Sequence, residues 1–396
     1  MKKLIPLLLA MLLLTGCQQS SQPAPEVSPP AASGSDAAQS APPSTEPEPP
    51  EDPLDTLLSS MTLEEQVGQL FFVRCPAENA LTDVTDYHLG GYILFGRDTK
   101  DKTANELIQN IAAWQRAAME DTGIPLLMGV DEEGGTVVRV SSNPHLRSAK
   151  FPAPRTLWQQ GAEAVADDTR EKDTLLHALG FNVNLAPVAD VSTDPGDFIY
   201  ARTTGQDAAG AEDYVSLVVE TMCRDGMGSV LKHFPGYGNN ADTHTGVAVD
   251  PRPYETFTDS DFLPFRAGIA AGQTAGGQRT AVLVSHNIVQ CMDPDLPASL
   301  SPEVHRILRQ ELGFDGVAMT DDLAMDAVAA YAADGAVAVM ALQAGNDLII
   351  TTDYRSQIPK VLAAVENGTL EESVIRQACR RVLQWKIDLG LVSFSG

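Results

Sequence analysis

Cysteine is scarce in this chain, five residues in 396, and no two form a CxxC pair. That excludes a disulfide-framed secreted scaffold and a thioredoxin-type redox motif. Cys75, Cys223, Cys291 and Cys379 lie far apart and read as buried thiols, with a single opportunistic disulfide as the alternative. Basic residues are equally thin, 27 Lys and Arg against 53 Asp and Glu, a net charge of −26. Such a balance excludes nucleic acid as a partner and a polybasic membrane patch. No HExxH or HxH is present and no GxGxxG follows the first strand-like run, which weighs against a zincin and a dinucleotide fold. Beyond the extreme N-terminus, no apolar run is long enough to span a bilayer.

What is present begins with Lys2 and Lys3, followed by an apolar segment from Leu4 to Leu14. This is a signal-peptide h-region, too short for a mature membrane helix. Leu14-Thr15-Gly16-Cys17 then matches the bacterial lipobox, in which Cys17 is diacylated. The sequence therefore predicts residues 1–17 as a lipoprotein signal and an extracytoplasmic protein held on the bacterial cell membrane by its lipid. Residues 18–52 are rich in Pro, Ser, Ala and Glu without one aromatic residue. Such a composition buries too little apolar surface to offset the entropy of ordering, so a spacer is expected. Residues 53–396 remain for one large domain.

Eight short β-rich apolar runs recur in that domain, at residues 69–75, 91–95, 125–131, 183–188, 229–233, 281–286, 316–320 and 347–351. Each suits a strand of a parallel sheet buried on both faces. Helical patterns alternate with them, at 103–120, 209–224, 302–312 and 373–389. In the first, Leu107, Ile111 and Trp114 repeat at helical spacing, and Ile108 is expected to widen the same apolar face. Ser301 before Pro302 is a helix start. The alternation predicts an α/β fold, a (β/α)8 TIM-type barrel, with an open doubly wound sheet as the alternative.

Barrel chemistry sits at the C-terminal ends of the strands. Asp131, the pair Lys232 and His233, the pair Ser285 and His286, and Asp321 fall at four such ends. In Asp242-Thr243-His244, a carboxylate two residues from an imidazole can fix its tautomer and make it a proton shuttle. A structural Asx turn with an exposed histidine is the competing account. Asp321 suits a nucleophile toward an anomeric carbon, while Asp321 and Asp322 can also cap a helix starting near Leu323. Both roles can hold, with Asp322 capping and Asp321 reacting.

Lys232-His-Phe-Pro-Gly236, Asp242-Thr-His244 and Thr320-Asp-Asp-Leu-Ala-Met325 together resemble glycoside hydrolase family 3, in its bacterial β-N-acetylglucosaminidase branch. The likeness runs over residues 53–396. It takes in Asp131-Glu-Glu-Gly-Gly135, Asn184-Leu-Ala-Pro-Val-Ala-Asp190 and the tail Lys386-Ile-Asp-Leu-Gly-Leu391. The resemblance implies a single catalytic barrel without the second α/β domain of longer members. It implies Asp321 as nucleophile, His244 as acid/base oriented by Asp242, and Asp131, Arg202, Lys232 and His233 as holders of the sugar hydroxyls. A retaining exo-β-N-acetylglucosaminidase follows, needing no cofactor or metal, with β-GlcNAc glycans such as muropeptides or chitin oligosaccharides as partners. Three departures stand out: Tyr237 replaces a family histidine, Asp242-Thr-His244 replaces Asp-Ser-His with the hydroxyl kept, and Asp131-Glu-Glu replaces Asp-Gln-Glu, adding an acid expected beside the pocket. A β-glucosidase, a phosphorolytic variant and a silent sugar-binding lipoprotein are the alternatives. So is a zinc hydrolase built on His233, His244, His286 and Asp321.

Overall fold

A computed structural model describes residues 52–240, 248–274, 277–325, 328, 331 and 335–394. Cys17, Asp242 and His244 lie outside the described residues.

Seven of the eight apolar runs form strands: β1 Phe72–Arg74, β2 Gly91–Leu94, β3 Leu127–Val130, β4 Val183–Asn184, β5 Gly228–Phe234, β6 Thr280–Val284 and β7 Ala318–Thr320. They make one parallel sheet in that order. Both faces of the sheet are buried, because Val, Ile, Leu and Met fill alternate positions on each side.

The eighth run, 347–351, forms no strand of its own. It meets its neighbours at isolated parallel bridges, Phe71 with Ile349 and Met319 with Leu348. Side chains take the backbone groups that a regular ladder would use. Asp347 accepts the Ala318 N–H at 2.9 Å, and the Ile350 N–H donates to Thr320 Oγ1 at 3.0 Å. The described architecture is thus an α/β fold around a seven-stranded parallel half-barrel.

Helices pack on the outside. The main ones are α1 Pro53–Ser60, α2 Leu63–Gln69, α3 Ala104–Asp121, α4 Ala162–Leu179, α5 Ala208–Asp225, α6 Phe262–Gly272, α7 Val337–Ala344, α8 Tyr354–Glu366 and α9 Glu372–Asp388. Capping boxes start α2 (Thr62 with Glu65) and α3 (Thr103 with Glu106). Gly180 and Gly226 end α4 and α5 at φ 100° and 80°, a left-handed conformation that lets the chain turn straight into the next strand. Ser301 caps the Val304 N–H with Pro302 at the first turn, as the sequence predicts. Beyond Arg306 that helix widens into a π-type turn over Ile307–Glu311.

On α3, Leu107 and Ile111 are buried and Trp114 packs against the core, but Ile108 is 40% exposed. One position round from Leu107, it rotates past the core-facing stripe into solvent. Cys75, Cys223 and Cys379 are buried free thiols; Cys291, expected to be buried, is exposed. It sits in a turn after the short strand Ile288–Val289, away from the sheet's apolar faces.

Candidate active site

The half-barrel delivers polar side chains to one end because each strand stops where its apolar run stops. Asp131 follows β3, Lys232 and His233 end β5, and Asp321 follows β7. At Lys232 the regular pairing of β5 with β6 is interrupted, between Leu231 and Phe234. Lys232 turns instead to a bridge with Val188, and its carbonyl accepts the Ala189 N–H at 2.7 Å. Arg202 arrives from the 3-10 turn Phe198–Arg202 after β4. All five of these residues line a single cleft of about 490 Å³.

The floor is an ion network. Lys232 Nζ sits 2.7 Å from Asp131 Oδ1 and 2.6 Å from Glu133 Oε1. Arg202 grips Glu133 with two hydrogen bonds, Nε to Oε2 at 3.0 Å and Nη2 to Oε1 at 2.8 Å. Burial pushes the Glu133 carboxyl up, but the Arg202 and Lys232 charges outweigh it and hold it well below the usual carboxylate range. Buried charges persist only when paired in this way. Sequence reasoning missed Glu133 as a site residue, since a run of three acids reads as a solvated loop.

His233 is the second element. Its Nδ1 lies 2.7 Å from Asp190 Oδ2, and its Nε2 lies 3.1 Å from Arg202 Nη2. Asp190 also accepts the backbone N–H of His233 at 3.1 Å and of Tyr237 at 2.7 Å. One buried carboxylate therefore sets the imidazole and holds the backbone at both His233 and Tyr237. Tyr237 is buried edge-on against the His233 ring, with centroids 5.1 Å apart. Asp190 too escaped the sequence reading, where it was only the last residue of a motif.

Two expectations are corrected. Glu132 does not line the cleft. Its buried carboxylate accepts the N–H groups of Arg139, Val140 and Ser141 at 2.8, 2.7 and 3.1 Å, and the Ser141 hydroxyl, and so ties the loop after β3 to itself. Asp322 does not cap a helix at Leu323, where the chain makes a turn. It accepts instead from the Thr352 N–H and hydroxyl at 3.1 and 2.8 Å and from the Ala324 N–H at 3.0 Å. That pins the loop after β7 to the eighth run and leaves Asp321 at the cleft. Asp321 itself is fixed through its N–H to the Val284 carbonyl at 3.1 Å, and its Oδ1 accepts the Asp322 N–H at 2.8 Å.

His286 does not line this cleft. It is fully buried, with Nδ1 2.8 Å from Ser299 Oγ and Nε2 3.1 Å from the Asp322 carbonyl. Among the described residues, no group of three or more His, Cys, Asp or Glu is placed to hold a metal ion. Another cleft, of about 510 Å³, lies between the N-terminal ends of β6 and β7 and α9. Its charged residues are already engaged, Asp388 by the Gln278 N–H and Arg381 by Asp347.

A strand-end carboxylate, Asp321, shares this cleft with ion-paired cations and a buried histidine, and paired carboxylates in a cleft are what glycoside hydrolysis uses. Comparison with known proteins decides the family: the model of the glycosyl hydrolase family 3 N-terminal domain matches residues 62–385. The chain belongs to glycoside hydrolase family 3.

Within that family, it is 31% identical over 336 residues to a β-hexosaminidase of Mycobacterium tuberculosis, covering 81% of this chain and 82% of that one. A family 3 β-N-acetylglucosaminidase structure from a Paenibacillus species superposes with a TM-score of 0.77 at 30% identity. That match covers 85% of this chain, which spans only 64% of the Paenibacillus chain. A β-N-acetylhexosaminidase from Beutenbergia cavernae gives 0.70 at 30% identity, over 82% of this chain and 98% of that one. A prokaryotic membrane lipoprotein lipid attachment site matches residues 1–18. Among the described residues, no helix is long and apolar enough to cross a membrane.

Proposed function

We propose that this family 3 enzyme is a retaining exo-β-N-acetylglucosaminidase that removes terminal β-linked N-acetylhexosamine from cell-wall or related glycans. The observation that carries the reading is the convergence of Asp131, Arg202, Lys232, His233 and Asp321 on one cleft. Asp131, Lys232, Arg202 and His233 supply the alternating acceptors and donors that sugar hydroxyls require. Asp321 attacks the anomeric carbon as the bond to the leaving oxygen breaks, giving a glycosyl ester. His244, oriented by Asp242, gives its proton to the leaving oxygen and then takes one from the water that cleaves the ester. An imidazole already titrates near neutral pH, where a carboxylic acid would need costly desolvation to do so.

The eighth run, bridged to the segments of both β1 and β7, supports closure into a complete eight-stave barrel spanning residues 53–396. The lipid attachment match at residues 1–18 supports acylation at Cys17, with residues 18–52 as the spacer holding the enzyme outside the cytoplasm. Fractionation of cells tests the anchor: the mature chain belongs in the membrane fraction, and an unmodified N-terminus in the medium contradicts it. A panel of aryl β-N-acetylglucosaminide, glucoside and xyloside, with and without phosphate, tests the activity. Preference for the N-acetylglucosaminide, with free sugar as product, is the expected result. Preference for the glucoside, or a sugar phosphate as product, moves the assignment within the family.

A further inference from the structure

Asp242 and His244 lie outside the described residues, but the chain on either side of them is described, and its two sides are fastened to each other. Before them, Gly236 to Asn240 follow β5; after them, the short strand Val249–Asp250 pairs in parallel with Ile288–Val289. Asn240 Nδ2 donates to Asp250 Oδ2 and to the Tyr237 carbonyl, both at 2.7 Å. Asp250, fully buried, also accepts the Arg252 backbone N–H at 2.9 Å, its Nε at 3.0 Å and its Nη2 at 2.8 Å. Arg252 then reaches back, with Nη2 3.2 Å from the Gly236 carbonyl and Nη1 3.1 Å from each carboxylate oxygen of the buried Asp261. Its guanidinium lies over the Phe257 ring, 4.4 Å from the centroid.

The glycines of this stretch fit the arrangement. A Cβ at Gly236 would run into the Asp261 carboxylate, and one at Gly238 into the Arg252 guanidinium. Two charged groups thereby sit directly on the backbone that follows β5. Forked, charge-assisted hydrogen bonds are the strong kind, and one guanidinium here serves two buried carboxylates. None of Asn240, Asp250, Arg252 and Asp261 lines the cleft, so sugar binding does not account for them. Their common effect is to hold Asn240, two residues before Asp242, against Asp250, six residues after His244. Fixing both ends of a connection narrows the places its middle can reach. A proton donor acts only within hydrogen-bond reach of the leaving oxygen, and a misplacement of about 1 Å costs on the order of 100-fold in rate.

We propose that Asn240, Asp250, Arg252 and Asp261 form a clamp, centred on Arg252, that positions the proton donor carried between residues 240 and 250. These are positioning residues, which touch no substrate and act through the donor. The proposal rests on the reading of His244 as acid/base, and the test separates the two.

The test measures kcat/KM of the full chain on diacetylchitobiose and on aryl β-N-acetylglucosaminides of graded leaving-group acidity. Asn240→Ala breaks the fastening and leaves every ion pair of the clamp in place, so the buried charges stay compensated even where Arg252→Lys fails to fold. In both variants the loss is about 10-fold to 100-fold on diacetylchitobiose and under about 3-fold on the most activated aryl glycoside. The slope of rate against leaving-group pKa therefore steepens. A merely structural role scales all substrates alike and leaves that slope unchanged. If His244→Ala keeps the wild-type slope while the clamp variants steepen it, the donor is another residue and the clamp stands. If Asn240→Ala keeps the wild-type slope, the clamp is overturned, whatever His244→Ala does. If the wild type cleaves no glycoside tested, the glycosidase reading fails, and hydrogen exchange of the peptide spanning 236–252 decides the clamp without turnover. Faster exchange in Asn240→Ala then supports it, and an unchanged rate overturns it.

Discussion

Glu133 and Arg202 meet as a two-toothed ion pair at 3.0 and 2.8 Å beneath the cleft, and Lys232 shares the same carboxylate at 2.6 Å. The Glu133 side chain is 1% exposed, against 3% for Lys232 and 14% for Arg202, so the shared carboxylate is compensated by its two cations rather than by bulk water. Glu133→Gln keeps the shape and removes the charge that two buried cations share. The expected loss is about 3–5 kcal/mol of unfolding free energy, read by urea denaturation, together with a raised KM. A variant as stable as the wild type contradicts the pairing.

Asp190 acts through His233 and through the Tyr237 N–H. Asp190→Asn removes the charge that fixes the imidazole but keeps an acceptor for the backbone. KM is expected to rise about 10-fold to 100-fold, the value of a charge-assisted hydrogen bond, with a smaller change in kcat. A fall confined to kcat contradicts a positioning role.

Lys386 gives a pH signature independent of catalysis. It is fully buried on α9, with Nζ 2.6 Å from Gln69 Oε1, and burial pushes its pKa down from 10.5 to about 7. The unfolded chain therefore binds more protons than the folded one between about 7 and 10.5. Unfolding free energy rises with pH across that window, by up to about 1.4 kcal/mol per pH unit from this group. Comparing denaturation at the two ends of the window in wild type and Lys386→Met checks it: the variant loses the rise. An identical slope in both contradicts a neutral buried lysine.

The sequence made the polar residues at strand ends legible because strand periodicity stops where buried apolar side chains stop, and Asp131, Lys232, His233 and Asp321 lie just there. It hid the partners. Asp131, Glu132 and Glu133 are three successive acids with three different fates: cleft wall, loop tie and buried counter-ion. Only the close turn at Gly134 and Gly135, with φ of 100° and 66°, folds Glu133 inward, and spacing alone does not reveal that. The eighth run was legible as an apolar stretch but not as an irregular one. Its ladder yields to Asp347 and Thr320, whose side chains meet it only in three dimensions.

His244 carries the acid/base assignment from the resemblance and lies outside the described residues, so kinetics must test it. His244→Ala is expected to lose activity steeply on natural glycosides and far less on activated aryl glycosides, whose leaving group needs no proton. Azide should restore part of its turnover on the activated substrate by replacing the water that the missing base no longer activates. Equal loss on every substrate without azide rescue reduces His244 to a positioning residue.

The covalent intermediate tests the account most directly. A mechanism-based fluorinated N-acetylglucosaminide, incubated with the wild type and followed by peptide mass spectrometry, traps the glycosyl ester if the enzyme retains configuration. The account predicts one added sugar per chain, on Asp321, and none in Asp321→Asn. A label on Asp322, on any other side chain, or on none at all under turnover conditions contradicts it.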